Sequence, residues 1–358
     1  MNTVKYNNND NNIRDHIINN NGNISESKIL SACYYFVLII IPLQDMNDYL
    51  LETLDYTFKM DFKNFEVIIL PDSKLELNYP NTTIIPTGKI SPAKKRDIGA
   101  KYSKGNILAF IDDDAYPDKM WLTNALPYFN DENVGAIGGP AITPKNDGFW
   151  QKVSGGVFLS KLGGGNPERY CPMGSIKEVD DWPSVNLLIK KNVFNKVKGF
   201  NSEYWPGEDT KLCLDVINEG EKIFYAPNVV VYHHRRSGLL KHLRQIGNYG
   251  LHRGYFAKKY PKNSFKLYYF FPTFLVFYFI LFLMFAITDK NSLLPFSVGL
   301  LIYILALCYA FFDINKKVKN FKVSLFSVYY IFLTHIWYGI RFFYGFFILK
   351  DLKSKLRK

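Results

Sequence analysis

Two stretches in the C-terminal third, Leu267–Thr288 and Leu293–Phe312, run for 22 and 20 residues without a charged side chain. A helix of about 20 apolar residues is the length that a bilayer core of roughly 30 Å requires. Pro272, Pro295 and Gly299 are tolerable inside such helices. A third apolar stretch, Val323–Leu349, with its span at about 323–345, contains His335 and Arg341. A charge there implies either a side chain facing a helix bundle or a segment that leaves the membrane near Gly339. The tail Lys350–Lys358 carries five basic residues and favours the cytoplasm. The sequence therefore predicts two full spans and a third that is partly interfacial.

The net charge of +12 is unevenly placed. From His233 to the end there are 20 Lys/Arg and 3 Asp/Glu, whereas residues 1–232 hold 24 basic and 29 acidic residues. Positive charge that flanks apolar spans reads as contact with anionic headgroups, and no nucleic-acid partner is expected. The loop Asp313–Lys322 has four Lys and one Asp, while Asp289–Ser292 is nearly neutral. By the positive-inside rule, the N-terminal domain and the 313–322 loop lie on the cytoplasmic side of the cell membrane. Cys33, Cys171, Cys213 and Cys308 are scattered, with no metal-binding or disulfide spacing. Residues 1–30 are Asn-rich without an apolar core and read as a disordered lead rather than a signal peptide.

From residue 31 to about 255 the chain alternates strand-like and helix-like segments. Tyr35–Ile41, ending at Pro42, and Phe65–Leu70 are strands, with a short third strand at Thr83–Ile85. Asp48–Met60 has helical spacing, and Pro92–Ser103 reads as a helix opened by proline. Val134–Gly139 and Ile223–Tyr232 read as further strands, the latter interrupted by Pro227, and Asp209–Asn218 as a helix. This is the α/β pattern of a mostly parallel mixed sheet, Rossmann-like, followed over 256–358 by a basic interfacial segment and α-helical transmembrane segments. The glycines between Ser154 and Pro167 are too many for a regular element, so a mobile loop is expected there, either a lid or a plain linker.

The chemistry concentrates at three places. Asp112-Asp113-Asp114 follows the apolar strand Asn106–Ile111, at the carboxyl end where open α/β sheets bind ligands. Adjacent carboxylates there suit a divalent cation that also holds phosphates; a solvated acidic turn is the plain alternative. Glu208-Asp209 opens a helix, so Asp209 is either a helix-terminal acid or a general base. In His233-His234-Arg235-Arg236, strand alternation lets only one histidine face the site. One imidazole completes a metal site, or the pair is a surface feature; the arginines suit a diphosphate or a lipid phosphate. Lys94-Lys95-Arg96-Asp97 is either a solvated face or a nucleotide contact.

In this order, these segments resemble glycosyltransferase family 2, the inverting GT-A nucleotide-sugar transferases, over about residues 34–255. The resemblance rests on Ile39-Ile40-Ile41-Pro42, Glu66–Ile69, Ala93–Gly99, Asp112–Asp114, Gly199-Phe200, Gly207-Glu208-Asp209 and the Pro227-to-His233 spacing. It departs from the family at Leu70-Pro71-Asp72, with one carboxylate instead of two, and at Asp97, where Asn is usual. No Gln-x-x-Arg-Trp motif follows Gln245, which implies single transfers rather than polymerisation. The resemblance implies that Pro42, Asp72, Arg96, Asp112, Asp113, Glu208 and Arg235 line the nucleotide-sugar site. It further implies that Asp114, Asp112 and His233 bind Mn²⁺ or Mg²⁺, and that Asp209 is the catalytic base. The implied donor is a uridine or other nucleoside diphosphate sugar, and the implied acceptor a lipid-linked or other glycan. A polyprenyl-phosphate sugar synthase and a catalytically inactive membrane scaffold are the alternatives.

Overall fold

The computed structural model describes residues 35–288 and 293–352; the Asn-rich lead at 1–30, the turn at 289–292 and the basic tail from 353 lie outside them. An eight-stranded sheet has the order β3 (Thr82–Ile84), β2 (Phe65–Leu70), β1 (Val37–Pro42), β4 (Ile107–Phe110), β9 (Leu187–Lys190), β6 (Val134–Gly138), β10 (Lys222–Tyr225), β8 (Lys177–Val179). The pairings β3/β2, β2/β1, β1/β4 and β6/β10 are parallel. Strand β9 runs antiparallel to both β4 and β6, and β8 runs antiparallel to β10. All six residues of β1 are buried because the sheet is covered on both faces, which is why its strands read as unbroken apolar runs. Alternate side chains serve opposite layers. Ile39 and Val67 pack with Leu50 and Trp121, whereas Leu38, Ile40 and Ile68 pack with Ala93, Phe200 and Val216.

A small sheet stands beside the carboxyl end of β4, formed by β5 (Ala115–Pro117), β11 (Val231–His233) and β7 (Ala141–Ile142). The segment expected as one strand from Ile223 to Tyr232 is thus two strands, β10 and β11, in different sheets. Pro227 falls in the turn between them and cannot donate to a ladder.

The expected loop over 154–167 is corrected by the structure. Phe149–Val157 and Lys161–Gly164 are helical. Their glycines give close approach rather than looseness. A Cβ at Gly156 would lie 2.2 Å from Ser327 Oγ, one at Gly155 2.2 Å from Thr143 Oγ1, and one at Gly163 2.8 Å from Ile331. A glycine inside a helix costs about 1 kcal/mol relative to alanine, and here that loss is offset by contacts that no larger residue permits.

Among the described residues, three helices are long and apolar enough to cross a membrane: Phe271–Thr288, Leu293–Val318 and Phe321–Ile348. The first begins later than expected, after a short turn at Leu267–Tyr269, and the second extends to Val318. The third does not break at Gly339. It stays α-helical to Phe343 and ends in a wider turn at Tyr344–Ile348. Gly339 is instead a crossing point, where an added Cβ would sit 2.4 Å from Pro272 O. The apolar core of this helix is 44% buried, against 11% for each of the others, because it packs on protein. Its polar residues face that protein: His335 Nε2 lies 2.7 Å from Leu162 O, and Arg341 Nε donates to Gly247 O at 3.3 Å. The helix Leu239–Lys259 runs unbroken through residue 255. Its Gly247, Gly250 and Gly254 each lie against Trp337, Tyr338 or Phe342, so the α/β domain and the apolar helices meet along a continuous seam.

Candidate active site

Strand β4 ends at Phe110 and delivers Asp112, Asp113 and Asp114 into the turn before β5. The pairing of β5 with β11 sets Ala115 opposite His233, and His234 N donates to Asp114 O at 3.0 Å. This register brings His233 Nε2 to 3.2 Å from Asp114 Oδ1. Ligand atoms of Asp112, Asp114 and His233 all fall within 4.8 Å of one another. Two carboxylates and an imidazole form a donor set that fits Mn²⁺ or Mg²⁺. Burial pushes the Asp114 carboxyl up, but His233 and the Arg236 and Arg235 guanidiniums outweigh it and hold it well below the usual carboxylate range. That carboxylate is therefore ionised, with both oxygens engaged by His233 and Arg236.

Asp113 turns away from this cluster. Its Oδ2 accepts from Asn47 Nδ2 at 2.8 Å, and Asn47 also caps the helix Asp48–Phe58. Burial, with Asp114 next to it, raises the Asp113 carboxyl to about 6. His234 points away as well: its Nε2 lies 2.8 Å from Glu52 Oε2, its Nδ1 hydrogen-bonds Asp147, and Tyr49 stacks on its ring at 4.4 Å. The alternation argument holds, with His233 as the histidine that faces the acids. The two arginines divide likewise. Arg236 Nη1 reaches Asp114 Oδ2 at 3.0 Å, while Arg235 Nη1 lies 2.9 Å from His233 Nδ1 and its Nε donates to Thr143 Oγ1.

On the other side, Arg96 is 2% exposed and bridges Asp112 Oδ1 at 2.6 Å and Glu208 Oε1 at 3.2 Å. Burial and the nearby Asp209 push the Glu208 carboxyl up to about 7 despite Arg96. Asp209 lies in the first turn of the helix Glu208–Asn218, whose cap position is Gly207, in left-handed backbone. Its Oδ1 accepts from Thr210 N at 2.9 Å and its Oδ2 from Ser184 N at 3.4 Å. Burial and Asp181 raise its carboxyl above the ordinary value, which favours accepting a proton. Asp209 is thus a helix-terminal acid that bonds an N–H of its own helix, and its raised carboxyl is the feature that a general-base role requires.

Asp72 does not stand free. Lys95, 3% exposed, bonds Asp72 Oδ1 at 2.5 Å and also the carbonyls of Leu43 and Leu70, pinning the ends of β1 and β2. Pro42 is buried at the carboxyl end of β1, paired with Leu70. Asp97 caps the loop after Gly199, accepting from Phe200 N at 2.8 Å and Asn201 N at 3.2 Å, which is its physical role in place of the usual Asn. The sequence reading missed Arg236 as the partner of Asp114, Asn47 as the partner of Asp113, and the buried Asp181. Asp181 pairs with Arg169 at 3.2 Å and Arg253 at 2.9 Å. For Asp181 the adjacent Asp180-Asp181 pair was a signal, but its partner Arg253 lies on a helix remote in sequence.

A pocket opens beside the acid cluster, lined by Arg169, Tyr170, Arg235, Arg236, Gln245 and Tyr249 among others. Its walls come from the glycine-rich segment, from β11 and its continuation, and from the helix Leu239–Lys259.

Residues 38–177 match the family model for glycosyl transferase family 2, which takes in the three aspartates but stops before Asp209 and His233. A dolichyl N-acetyl-alpha-D-glucosaminyl phosphate 3-beta-D-2,3-diacetamido-2,3-dideoxy-beta-D-glucuronosyltransferase of Methanococcus voltae is 23% identical over 244 residues, 63% of this chain and 74% of that protein. A pre-mycofactocin glycosyltransferase of Mycobacterium tuberculosis is 27% identical over 173 residues, 48% of this chain but only 36% of that protein. Among solved structures, the mannosyltransferase PcManGT from Pyrobaculum calidifontis, in complex with GDP-Man and Mn²⁺, aligns with a TM-score of 0.47 and 16% identity. That alignment covers 63% of this chain and 64% of that one.

Proposed function

We propose, from the premise that this chain carries a glycosyltransferase family 2 domain followed by three apolar helices, that it is a membrane-anchored inverting glycosyltransferase. Its donor is a nucleoside diphosphate sugar, with uridine the favoured base, and its acceptor a hydroxyl on a lipid-linked glycan. The observation that carries this reading is the convergence of Asp112, Asp114 and His233 within 4.8 Å at the carboxyl end of β4. The relative from Methanococcus voltae is named for a dolichyl-phosphate-linked sugar acceptor, which supports the lipid-borne choice.

In this reading Pro42, Asp72, Arg96 and Asp112 border the nucleoside, Asp113 and Glu208 fix the loops that carry it, and Asp112, Asp114 and His233 hold Mn²⁺ or Mg²⁺. Bound there, the cation neutralises charge on the leaving diphosphate. Asp209 takes the proton from the acceptor hydroxyl while its oxygen attacks the anomeric carbon. The carbon–oxygen bond to the diphosphate breaks with its electron pair leaving on the nucleotide, and the configuration inverts. Arg236 and Arg235 add positive charge beside the departing phosphates. The basic loop at 313–322 and the basic residues from 235 to 266 favour a cytoplasmic catalytic domain in the cell membrane.

A screen of nucleotide sugars by nucleotide release, with each divalent cation in turn, identifies the donor. Calorimetry with nucleoside diphosphate and Mn²⁺ tests the site directly: Asp114→Ala abolishes cation-dependent binding, and unchanged affinity would refute the assignment.

A further inference from the structure

The third apolar helix, Phe321–Ile348, has two unlike faces. Val323, Ser327, Ile331, His335 and Phe342 are buried, whereas Phe326, Tyr329, Trp337, Ile340, Tyr344 and Phe347 are exposed. The buried face rests on the α/β domain and on the helix Leu239–Lys259 that continues from it. Ser327 Oγ donates to Val153 O at 3.0 Å, and Thr334 Oγ1 lies 3.0 Å from His242 Nε2. Farther along, a Cβ at Gly254 would lie 2.3 Å from Phe342 O and 3.0 Å from Phe346 N. From Ser327 to Phe346 the helix advances about 28 Å, at roughly 1.5 Å per residue. That is close to the roughly 30 Å thickness of a bilayer core.

The charges beside this stretch decide how it can sit in lipid. His242 meets Thr334 and Gly254 meets Phe342, so the helix Leu239–Lys259 runs alongside it in the same direction. Lys241, Arg244 and Asn248 are exposed on that helix, and its Arg253 pairs with Asp181 of the α/β domain at 2.9 Å. A third helix that crossed the bilayer would draw these groups, and the domain joined to them, into the hydrocarbon, where exposed charge is expensive. The first two apolar helices are covered by little protein and are joined to each other by a hydrogen bond from the Tyr278 hydroxyl to Phe296 O. Tyr303 OH, on the second, meets His335 Nδ1 at 2.9 Å, so this pair stands on the middle of the third helix. The basic residues agree with two crossings. Residues 313–322 hold four Lys and residues 350–358 five Lys/Arg, and an even number of crossings returns both segments to one side.

We propose that the chain crosses the membrane twice, and that the third apolar helix lies in the near leaflet without crossing it. One face then carries the α/β domain and the exposed aromatic face meets lipid. Tyr329, Trp337 and Tyr344 suit that level, because rings with a polar edge settle near the headgroups. Lys241 and Arg244 lie beside it, where anionic headgroups attract them. The helix thus seats the domain on the membrane surface, a placement that does not depend on the sugar-transfer reading.

Cysteines introduced into the full-length protein read the topology: Ser292→Cys between the first two apolar helices, Lys319→Cys in the basic loop, and Ser354→Cys in the tail. Each is treated with a membrane-impermeant maleimide in intact cells and after permeabilisation, with wild type giving the background from its four cysteines. Ser354→Cys should respond to permeabilisation as Lys319→Cys does, and opposite to Ser292→Cys. A tail that labels with Ser292→Cys would require a third crossing and overturn the proposal. Depth is read in lipid nanodiscs, where the emission lost in Trp337→Phe isolates one ring among five tryptophans. Lipids brominated near the headgroup should quench that component more than lipids brominated at the chain end. Stronger quenching from the chain ends would place the ring at the bilayer centre and overturn the proposal. Quenching by neither lipid would overturn it too, by showing that protein covers the aromatic face.

Discussion

Replacing Glu208 by glutamine isolates the electrostatics of the buried end of the site. Glu208 is 6% exposed, and its Oε2 has no hydrogen-bond partner among the described residues. Among those residues its only counter-charge within an ion-pair distance is Arg96 at 3.2 Å, which is shared with Asp112. Burial and Asp209 together raise its carboxyl from 4.5 to about 7, so the folded protein binds a proton there more tightly than the unfolded chain. The sign follows from linkage: a carboxyl raised in the folded state costs nothing at pH 4 and progressively more as pH rises through the window from 4.5 to 7. The upper limit is the width of that window, about 2.5 units at about 1.4 kcal/mol each, or about 3–4 kcal/mol. The amide of the Glu208→Gln variant keeps an oxygen toward Arg96 and cannot ionise. Wild-type protein should therefore lose thermal stability relative to Glu208→Gln between pH 5 and pH 8, by up to roughly 5–10 °C in midpoint for a domain of this size. Scanning fluorimetry in detergent at a series of pH values reads the difference between the two curves. Parallel curves for the two proteins would show that Glu208 does not titrate in that window, and the account of Arg96 as an insufficient counter-charge would be wrong.

Asp209→Asn should leave nucleotide binding intact while turnover falls by roughly 10²–10⁴, the range for a positioned general base; loss of nucleotide binding instead would make Asp209 a structural acid only. Gly156→Ala places a Cβ 2.2 Å from Ser327 Oγ and should destabilise the protein by about 1–3 kcal/mol of overpacking, read as a lowered midpoint in detergent; an unchanged midpoint would refute the close helix contact. His242 is buried between Ser154 Oγ at 2.7 Å and Thr334 Oγ1 at 3.0 Å, and burial lowers it to about 4. The neutral form is the folded one, so stability should fall as pH drops from 6.5 toward 4, by up to about 3 kcal/mol, and His242→Gln should remove that loss in an acid-unfolding series.

What the sequence disclosed was whatever one segment determines alone. Phe65–Leu70 is a strand because a nearly unbroken apolar run fits a sheet covered on both faces, and β2 has those bounds. The Asp112–Asp114 turn was equally local, since a strand end and three carboxylates occupy one short segment. Partner choice was not local. That His233 rather than His234 faces Asp114, and Arg236 rather than Arg235 pairs with it, depends on β11 pairing with β5, far earlier in the chain, in the register His233↔Ala115. Lys95 looked like one member of a basic run, yet it is the buried cation that ties Asp72 to the ends of two strands.

The glycine-rich segment shows the same limit in its sharpest form. Taken alone, Gly155, Gly156, Gly163 and Gly164 argue for a loop, because glycine weakens a helix. Their helical conformation is set by Ser327 and Ile331, remote in sequence, on a helix whose own apolar pattern gave no hint of which face would meet protein. The polar bonds across that contact, from His242 to Ser154 and Thr334 and from His335 to Leu162 O, join this glycine-rich segment to the third apolar helix. Those helices thereby do more than anchor the chain. The segment from Phe149 to Tyr170, which supplies Tyr170 to the pocket beside the acid cluster, is folded against them. The pocket beside the acid cluster therefore has walls that rest on the apolar helices, whereas Asp112, Asp113 and Asp114 are carried by the end of a sheet strand.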